Sequence, residues 1–421
     1  MAILYNIGGF LALGGAMALI ATASMAFVYY QSTGPALLKA FLLILGSTVA
    51  AVVWSPRPQL VSLLLLAIVS TIVYLYKWKR REYLKWLPVI FFLWANFHGG
   101  YPLGFLLIGA VVVGEAGNNL LGGEAVKNRL SWRQIGQLVV WSLISVLALL
   151  INPNGLNIWK IPFQTVEVSA LQQFIEEWAS PDFHQLYQQP FLWLLFSILA
   201  AVGLARRRMD TTDLVTVILF GAMALVARRN FGPFAIVGIP ILSRYLWVAW
   251  QSRKSQDAAI SETGLADYPQ PPRFRPRWQR RANLAIVGVL AIVAITKLYA
   301  VTYPGWMDTA IQSSEPAAAV NWMTANALKG RVLNEYNWGG YLEWKSTDLQ
   351  VFVDGRTDLF GDSVLNEWLG AVQAANGWQQ TLQKWNIDYL LLDPGRPLAQ
   401  AAAQAGWKIL YQDSQAVVYG K

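Results

Sequence analysis

An α-helical polytopic membrane domain of about ten spans, followed by a small extracytoplasmic α/β domain, is the fold class this chain predicts, and three observations carry it. Over half of the 421 residues are hydrophobic (55%) and 14% are charged, with a mean hydropathy of +0.37, more apolar surface than a soluble chain of this length readily buries. Apolar runs near the roughly 20 residues needed to cross about 30 Å of hydrocarbon recur from the first residues almost to Thr302. Beyond Tyr303 the pattern changes to short strand-like and helix-like segments in alternation.

The expected spans are Ile7 to Tyr30, Ala36 to Trp54, Gln59 to Tyr76, Trp86 to Phe97, Pro102 to Leu120, Gln134 to Ile151, Phe191 to Ala205, Thr211 to Ala227, Phe231 to Trp250 and Asn283 to Thr302. The fourth is short and contains Pro88, which suits a half-span or re-entrant piece packed inside protein. It pairs with the fifth across His98-Gly99-Gly100. Ile7 to Tyr30 is too long for a signal-peptide core and has no basic flank. Glu115 and Lys297 fall within apolar runs but near their ends, where both are expected to reach water.

Lys and Arg in the short loops set the orientation. Lys77 to Lys85, Lys127 to Arg133, Arg206 to Arg208 and Arg253 to Arg281 are basic and fall on one side by alternation, so that side is expected to be cytoplasmic. The other side then receives both termini, the Ser55 to Pro58 turn, the His98 loop, the 152–190 loop, the Arg228-Arg229 turn and everything after Thr302. Residues 1–302 thus form the membrane domain, interrupted by a polar, Pro- and Arg-rich cytoplasmic linker at 251–282, expected to touch anionic lipid.

Residues 303–421 carry twelve acidic and eight basic residues, a net of −4, which leaves +13 on the membrane part. The overall charge of +9 is therefore a topology signal, and no nucleic-acid partner is expected. With no cysteine and two histidines, neither a disulfide nor a thiolate or His-rich metal site is expected. In the tail, Pro316 to Ala327, Trp378 to Trp385 and Pro397 to Ala405 read as helices, with strands at Arg331 to Asn334, Gln350 to Asp354 and Ile387 to Asp393. Trp407 to Gln412 and Gln415 to Tyr419 read as a closing hairpin on a mainly parallel sheet. It carries neither GxGxxG nor GxxxxGK[ST], so nucleotide binding has no support there.

The expected outer loops gather the candidate site. They hold WANFHGG with His98, NPNG at 152–155, EEWASPDF with Glu177 and Asp182, His184, and ARRNFGPFAI with Arg228 and Arg229. The tail adds NEYNWGGYLEW with Asn337 and Trp338, and VFVDGRTD with Asp354, Arg356 and Asp358. This ordered set resembles the GT-C superfamily of polytopic glycosyltransferases, bacterial members of which transfer sugars from polyprenyl-phosphate carriers at the outer membrane face. The resemblance runs from about Leu60 to the C-terminus. The aromatic-Gly turn in the tail is also faintly similar to the acceptor-binding motif of oligosaccharyltransferase catalytic subunits. That superfamily holds its acidic catalytic residue in a large first outer loop after the first span; the expectation is a chain lacking that span and loop, and truncated or inactive as a result.

What the resemblance implies is a lipid-linked sugar as partner alongside membrane lipids, with a divalent metal suggested by analogy only. Arg228 and Arg229, as planar forks for phosphate oxygens, are the lipid-phosphate candidates. Glu177, Asp182 and His98 are the candidates for deprotonating an acceptor hydroxyl. Asn337, Trp338, Asp354, Arg356 and Asp358 are acceptor-binding or structural. Each has a plainer role beside it: arginines at a span end anchor to headgroups, Glu177 before Trp178 caps or anchors an interfacial helix, a histidine beside Gly-Gly closes a loop, and Asp354, Arg356 and Asp358 form an internal ion-pair network. The alternative to an enzyme is a non-catalytic membrane scaffold or glycan-binding protein. A transporter is disfavoured, because no inverted repeat and no mid-span carboxylate pair is evident.

Overall fold

The computed structural model describes residues 2–55, 57–121, 128–163, 177–205, 208–260 and 277–421. The chain divides into two compact units, one of Met1–Phe163 with Glu176–Ala294 and a second that holds Ile295–Lys421. Lys127, Glu176, Arg206, Arg207 and the centre of the basic linker, all singled out by sequence, lie outside the described residues.

The first unit is helical. Its elements are α1 (Ala2–Gln31), α2 (Ala36–Ala51), α3 (Gln59–Lys79), α4 (Leu87–Phe97), α5 (Pro102–Leu121), α6 (Trp132–Ala148), α7 (Gln189–Ala205), α8 (Thr211–Val226) and α9 (Phe231–Ile260), with α10 (Arg277–Thr302) leading toward the tail. Among the described residues, five stretches are long and apolar enough to cross a membrane: Ile3–Gln31, Gln59–Lys79, Pro102–Leu121, Leu186–Ala205 and Arg228–Gln251. Shorter apolar helices lie at Ala36–Ala51, Leu84–Phe97, Thr211–Val226 and Ala291–Thr302. By composition and length this is a multi-pass membrane unit. α9 is its central post, with 78% of its apolar window buried against 28% for α1, and it packs on α7, α2, α8, α3 and α1. A helix apolar all round must be surrounded, as this one is.

One end of the bundle is closed by buried charge. The Lys77 ammonium, in the last turn of α3, donates to both Asp210 oxygens at 2.8 and 2.7 Å and to Glu115. Thr212 Oγ1 donates to Glu115 at 2.5 Å, and Asn118 bridges Glu115 and Asp210 at 3.1 and 3.0 Å. Asp210 also caps α8 by accepting from the Thr212 N–H at 2.9 Å, satisfying an orphan donor of the first turn. Next to it, Arg244 pairs with Asp213 at 2.6 Å, and Tyr245 donates to Asp213 at 3.2 Å while accepting from the Asp210 N–H at 2.9 Å. The network joins α3, α5, α8 and α9. Gly114 permits it, since a Cβ there would come within 2.7 Å of the Thr212 nitrogen and hold α5 away from α8. Here the structure corrects the sequence expectation for Glu115: it is fully buried, with its charge met by Lys77 instead of water.

The second unit begins with α11 (Pro304–Ser314) and α12 (Ala317–Ala325), then alternates β1 (Gly330–Asn334), α13 (Gly339–Lys345), β2 (Leu349–Val351), α14 (Thr357–Val372), α15 (Trp378–Lys384), β3 (Tyr389–Leu392), α16 (Pro397–Gln404), β4 (Lys408–Gln412) and β5 (Val417–Gly420). The strand order is β2-β1-β3-β5-β4. β1 runs parallel to β2 and β3, with Val332 opposite Val351 and Tyr389, while β5 is antiparallel to β3 and β4. The sheet thus has the expected parallel core, β2-β1-β3, with the expected hairpin closing it in antiparallel fashion. A turn too short for a crossover forces β4 and β5 antiparallel. The buried Val417–Gly420 strand takes the inner place, and the largely exposed β4 takes the edge.

Two outcomes test these contacts. Lys77→Met leaves Glu115 and Asp210 buried without their cation, and is expected to cost about 3–5 kcal/mol in denaturant unfolding of the solubilised protein, whereas the exposed Lys79→Met should stay within about 0.5 kcal/mol. In the tail, hydrogen bonds from Lys384 and the Trp385 indole, both 2.7 Å, hold the Glu367 carboxyl below the usual glutamate range. A depressed pKa gives stability that is present above the unfolded value and lost as pH falls through the folded one. Hydrogen exchange in α15 should therefore speed up below the ordinary glutamate range, and Glu367→Gln should flatten that dependence.

Candidate functional site

The opposite end of the bundle holds arginine. α8 stops at Ala227, whose backbone turns extended, and Arg228–Asn230 form a single 3-10 turn before α9. Asn230 closes the helix end by donating to the Met223 carbonyl at 2.9 Å. The backbone N–H groups of Arg228 and Arg229 donate to Ala179 O (3.2 Å) and Glu177 O (3.0 Å), and Ser180 Oγ donates to Val226 O at 3.1 Å. These bonds pin the 177–180 segment against the arginine turn. Side chains then sort by role. Arg228 is buried and donates to the Tyr187 hydroxyl at 2.8 Å, and Arg229 lies over the Trp178 ring with its guanidinium carbon 3.9 Å from the centroid, a planar cation on a π-face. A third guanidinium arrives from the turn before α3: Arg57 Nη1 lies 2.5 Å from Glu177 Oε1.

Arg57 pairs with the Glu177 carboxylate, Arg229 lies over the neighbouring Trp178 and Arg228 reaches Tyr187, so three guanidinium groups gather at this bundle end. Arg57 is 58% and Glu177 28% exposed, so an incoming anion has access to both.

His98 belongs to the same end. It follows α4, and its Nδ1 accepts from the Gly100 N–H at 3.1 Å and faces Ser62 Oγ at 2.7 Å. The backbone donor fixes the tautomer: Nδ1 carries the lone pair, Ser62 O–H donates to it, and the proton sits on Nε2. Ser62 Oγ in turn accepts from the Trp94 indole at 2.7 Å. Gly100 is required, because a Cβ there would lie 2.9 Å from Ser62 Cβ and 3.0 Å from His98 Nδ1. Ser62 is in the first turn of α3, three residues before Leu65 and five after Arg57, so one helix start links the histidine loop to the arginine cluster. The 152–163 segment covers this loop: Tyr101 donates to Ile158 O at 2.5 Å and Asn96 to Ile151 O at 2.9 Å. The NPNG motif is a turn, with Asn152 Oδ1 accepting from the Asn154 N–H at 2.7 Å and Gly155 at φ +50°.

Of the other predicted residues, Asp182 is closed on its own loop. The His184 backbone N–H (3.0 Å) and imidazole (2.9 Å) bind Asp182 Oδ1 and hold its carboxyl below the usual range. In the second unit, Trp338 is buried in the core and Asn337 is exposed. Arg356 is folded back on Asp354 through Nε at 3.1 and 2.9 Å and reaches Glu343 at 2.8 Å, the internal ion-pair arrangement weighed above. Those contacts raise the Arg356 pKa further, the hydrogen bond to Asp354 being the largest cause. Asp358 opens α14, and its side chain lies outside the described residues. Among the described residues no group of three or more His, Asp or Glu stands together as a metal site.

Arg57, Ser62, Tyr187 and Lys77 carry contacts that sequence reasoning did not assign. Arg57 stood in a turn placed on the same side as Arg229, and that shared side was the one signal available.

No protein-family model matches the chain, and no curated protein matches its sequence. Among solved structures it is similar to the oligosaccharyltransferase of Archaeoglobus fulgidus in the apo form, with 12% sequence identity and a TM-score of 0.53. The match covers 93% of this chain and 60% of that one. At that identity the likeness is one of fold alone.

Proposed function

We propose that the protein is a membrane glycosyltransferase-like protein that handles a polyprenyl-phosphate-linked sugar at the outer face of the cytoplasmic membrane. The GT-C-like fold supports the class. The observation that carries the substrate is the Arg57, Arg228 and Arg229 cluster at one bundle end, with Arg229 lying over the Trp178 ring. As the sugar passes to its acceptor, the polyprenyl phosphate or diphosphate leaves with negative charge, and forked guanidinium groups neutralise it in a bidentate way. In this proposal residues 1–302 cross the membrane about ten times, the basic loops are cytoplasmic, and 303–421 stand outside.

Glu177 is the proposed base. Its carboxylate is engaged by Arg57, and a phosphate taking that arginine would free it beside the departing sugar. Asp182 is committed to His184, and His98 is held through Nδ1 by Ser62 and the Gly100 N–H. Asn337, Asp354, Arg356 and Asp358 are assigned to the tail's own framework or to an acceptor. One observation favours the alternative of a non-catalytic lipid-phosphate or glycan-binding protein: Glu177, Asp182 and His98 each have a protein partner.

Binding and transfer are separable. Arg229→Ala should weaken binding of a polyprenyl phosphate to the purified protein about tenfold or more, corresponding to about 1.4 kcal/mol, while Arg208→Ala leaves it unchanged; equal losses would remove the phosphate site. Glu177→Gln should keep that binding and abolish sugar transfer if the protein is an enzyme. For the topology, a cysteine introduced at Asp182 should react with an impermeant thiol reagent in intact cells, and one at Arg208 should not. The reverse pattern would put the arginine cluster on the cytoplasmic side.

A further inference from the structure

The second unit contains a cavity of its own, apart from the arginine cluster. β1 is flanked by β2 on one side and β3 on the other, both parallel to it. The chain leaving β1 turns through α13 toward β2, and the chain leaving β3 turns through α16 toward β4 and β5 on the far side. Connections that diverge from two neighbouring parallel strands leave a crevice beyond their carboxyl ends, where open α/β sheets place ligands. A cavity of 140 Å³ lies there, lined by Glu335, Tyr336 and Asn337 just after β1, Arg396 just after β3, and Trp368 from α14.

Its chemistry is specific. The buried Glu335 carboxylate meets Arg396 as a fork, Nε to Oε1 and Nη2 to Oε2 both at 2.8 Å, and the Asp393 N–H adds a bond at 3.3 Å. The Trp368 indole donates to the Asn334 carbonyl at 2.9 Å, which fixes its ring, and Tyr336 stands 5.9 Å from it between centroids. Asn337 projects at the exposed rim. One carboxylate against one guanidinium leaves the cavity without net charge, which does not suit a phosphate or a metal ion. The half-buried Tyr336 ring, backed by the buried Trp368, offers a surface for the C–H face of a saturated ring, and the amide, carboxylate and guanidinium offer planar pairs of donors and acceptors for vicinal hydroxyls. The volume is below the roughly 300–1,000 Å³ of pockets for drug-sized ligands, so one ring fits.

We propose that the crevice at the carboxyl ends of β1 and β3 is a binding site for a single neutral sugar unit, laid against Tyr336, which Trp368 backs, and hydrogen-bonded by Asn337, Glu335 and Arg396. It stands whether or not the bundle takes a lipid phosphate. The test uses the full-length protein in nanodiscs, titrated separately with glucose, mannose, galactose, N-acetylglucosamine and arabinose by saturation-transfer difference NMR. At least one should bind saturably, with affinity reduced tenfold or more in Asn337→Ala and in Arg396→Met, and unchanged in Arg229→Ala. Asn337 is exposed, so its variant should melt as the parent does, separating lost binding from lost fold. Absence of saturable binding by all five sugars, binding that survives both tail variants, or binding abolished by Arg229→Ala would each overturn the assignment.

Discussion

The placement of Lys77 is the constraint on which the membrane unit depends. A lysine at the end of an apolar helix ordinarily extends its charge to water, but here the ammonium turns inward and meets two carboxylates from α5 and the start of α8. Such a group is costly to bury alone, and the surrounding Thr212, Asn118 and Leu130 N–H contacts complete the coordination of the acids. The geometry leaves little freedom: α3, α5 and α8 must reach this point in one register, and Arg244, Tyr245 and Asp213 extend the same requirement to α9. Fixing the helices at one end sets where they emerge at the other. Arg57 and Ser62 precede and begin α3, His98 lies between α4 and α5, and Arg228 and Arg229 follow α8, so each candidate group sits one helix length from the buried charges.

The two ends use charge differently. Around Lys77, acids and bases meet in the buried interior and pair with one another, and the result is architecture. Around Arg229 three guanidinium groups gather near the partly exposed Glu177, and an aromatic ring lies against Arg229. Architecture by buried pairing and recognition by accessible, pre-oriented charge are distinct uses of the same residues, and burial separates them.

Much of the helical pattern was legible because apolar runs and basic loops report on the membrane directly. The tail strands were legible too, as alternating buried segments between Gly and Asn turns, to within a residue or two for β1, β3 and the hairpin. What could not be read was partnership. Glu115 looked like a residue near a span end, because nothing local to it announces that Lys77, 38 positions away, will be adjacent. Arg57 looked like turn punctuation between two prolines, since its ion pair to Glu177 spans 120 positions. α14 escaped notice because Gly361, at φ +67°, interrupts its helical run, and the order of β4 and β5 depended on which strand could be buried. The HGG motif was legible as a loop, and in the fold it joins His98 to Ser62.

The central claim is that the arginine end of the bundle receives a lipid phosphate. The most direct measurement is photo-crosslinking in native membranes with a polyprenyl phosphate bearing a diazirine on its first isoprene unit, followed by mass-spectrometric mapping. The account predicts labelled peptides containing Glu177 to Ser180 and Arg228 to Phe231, both competed by excess unlabelled polyprenyl phosphate. Labelling confined to the Lys77 end, or labelling that excess carrier does not compete, would contradict it.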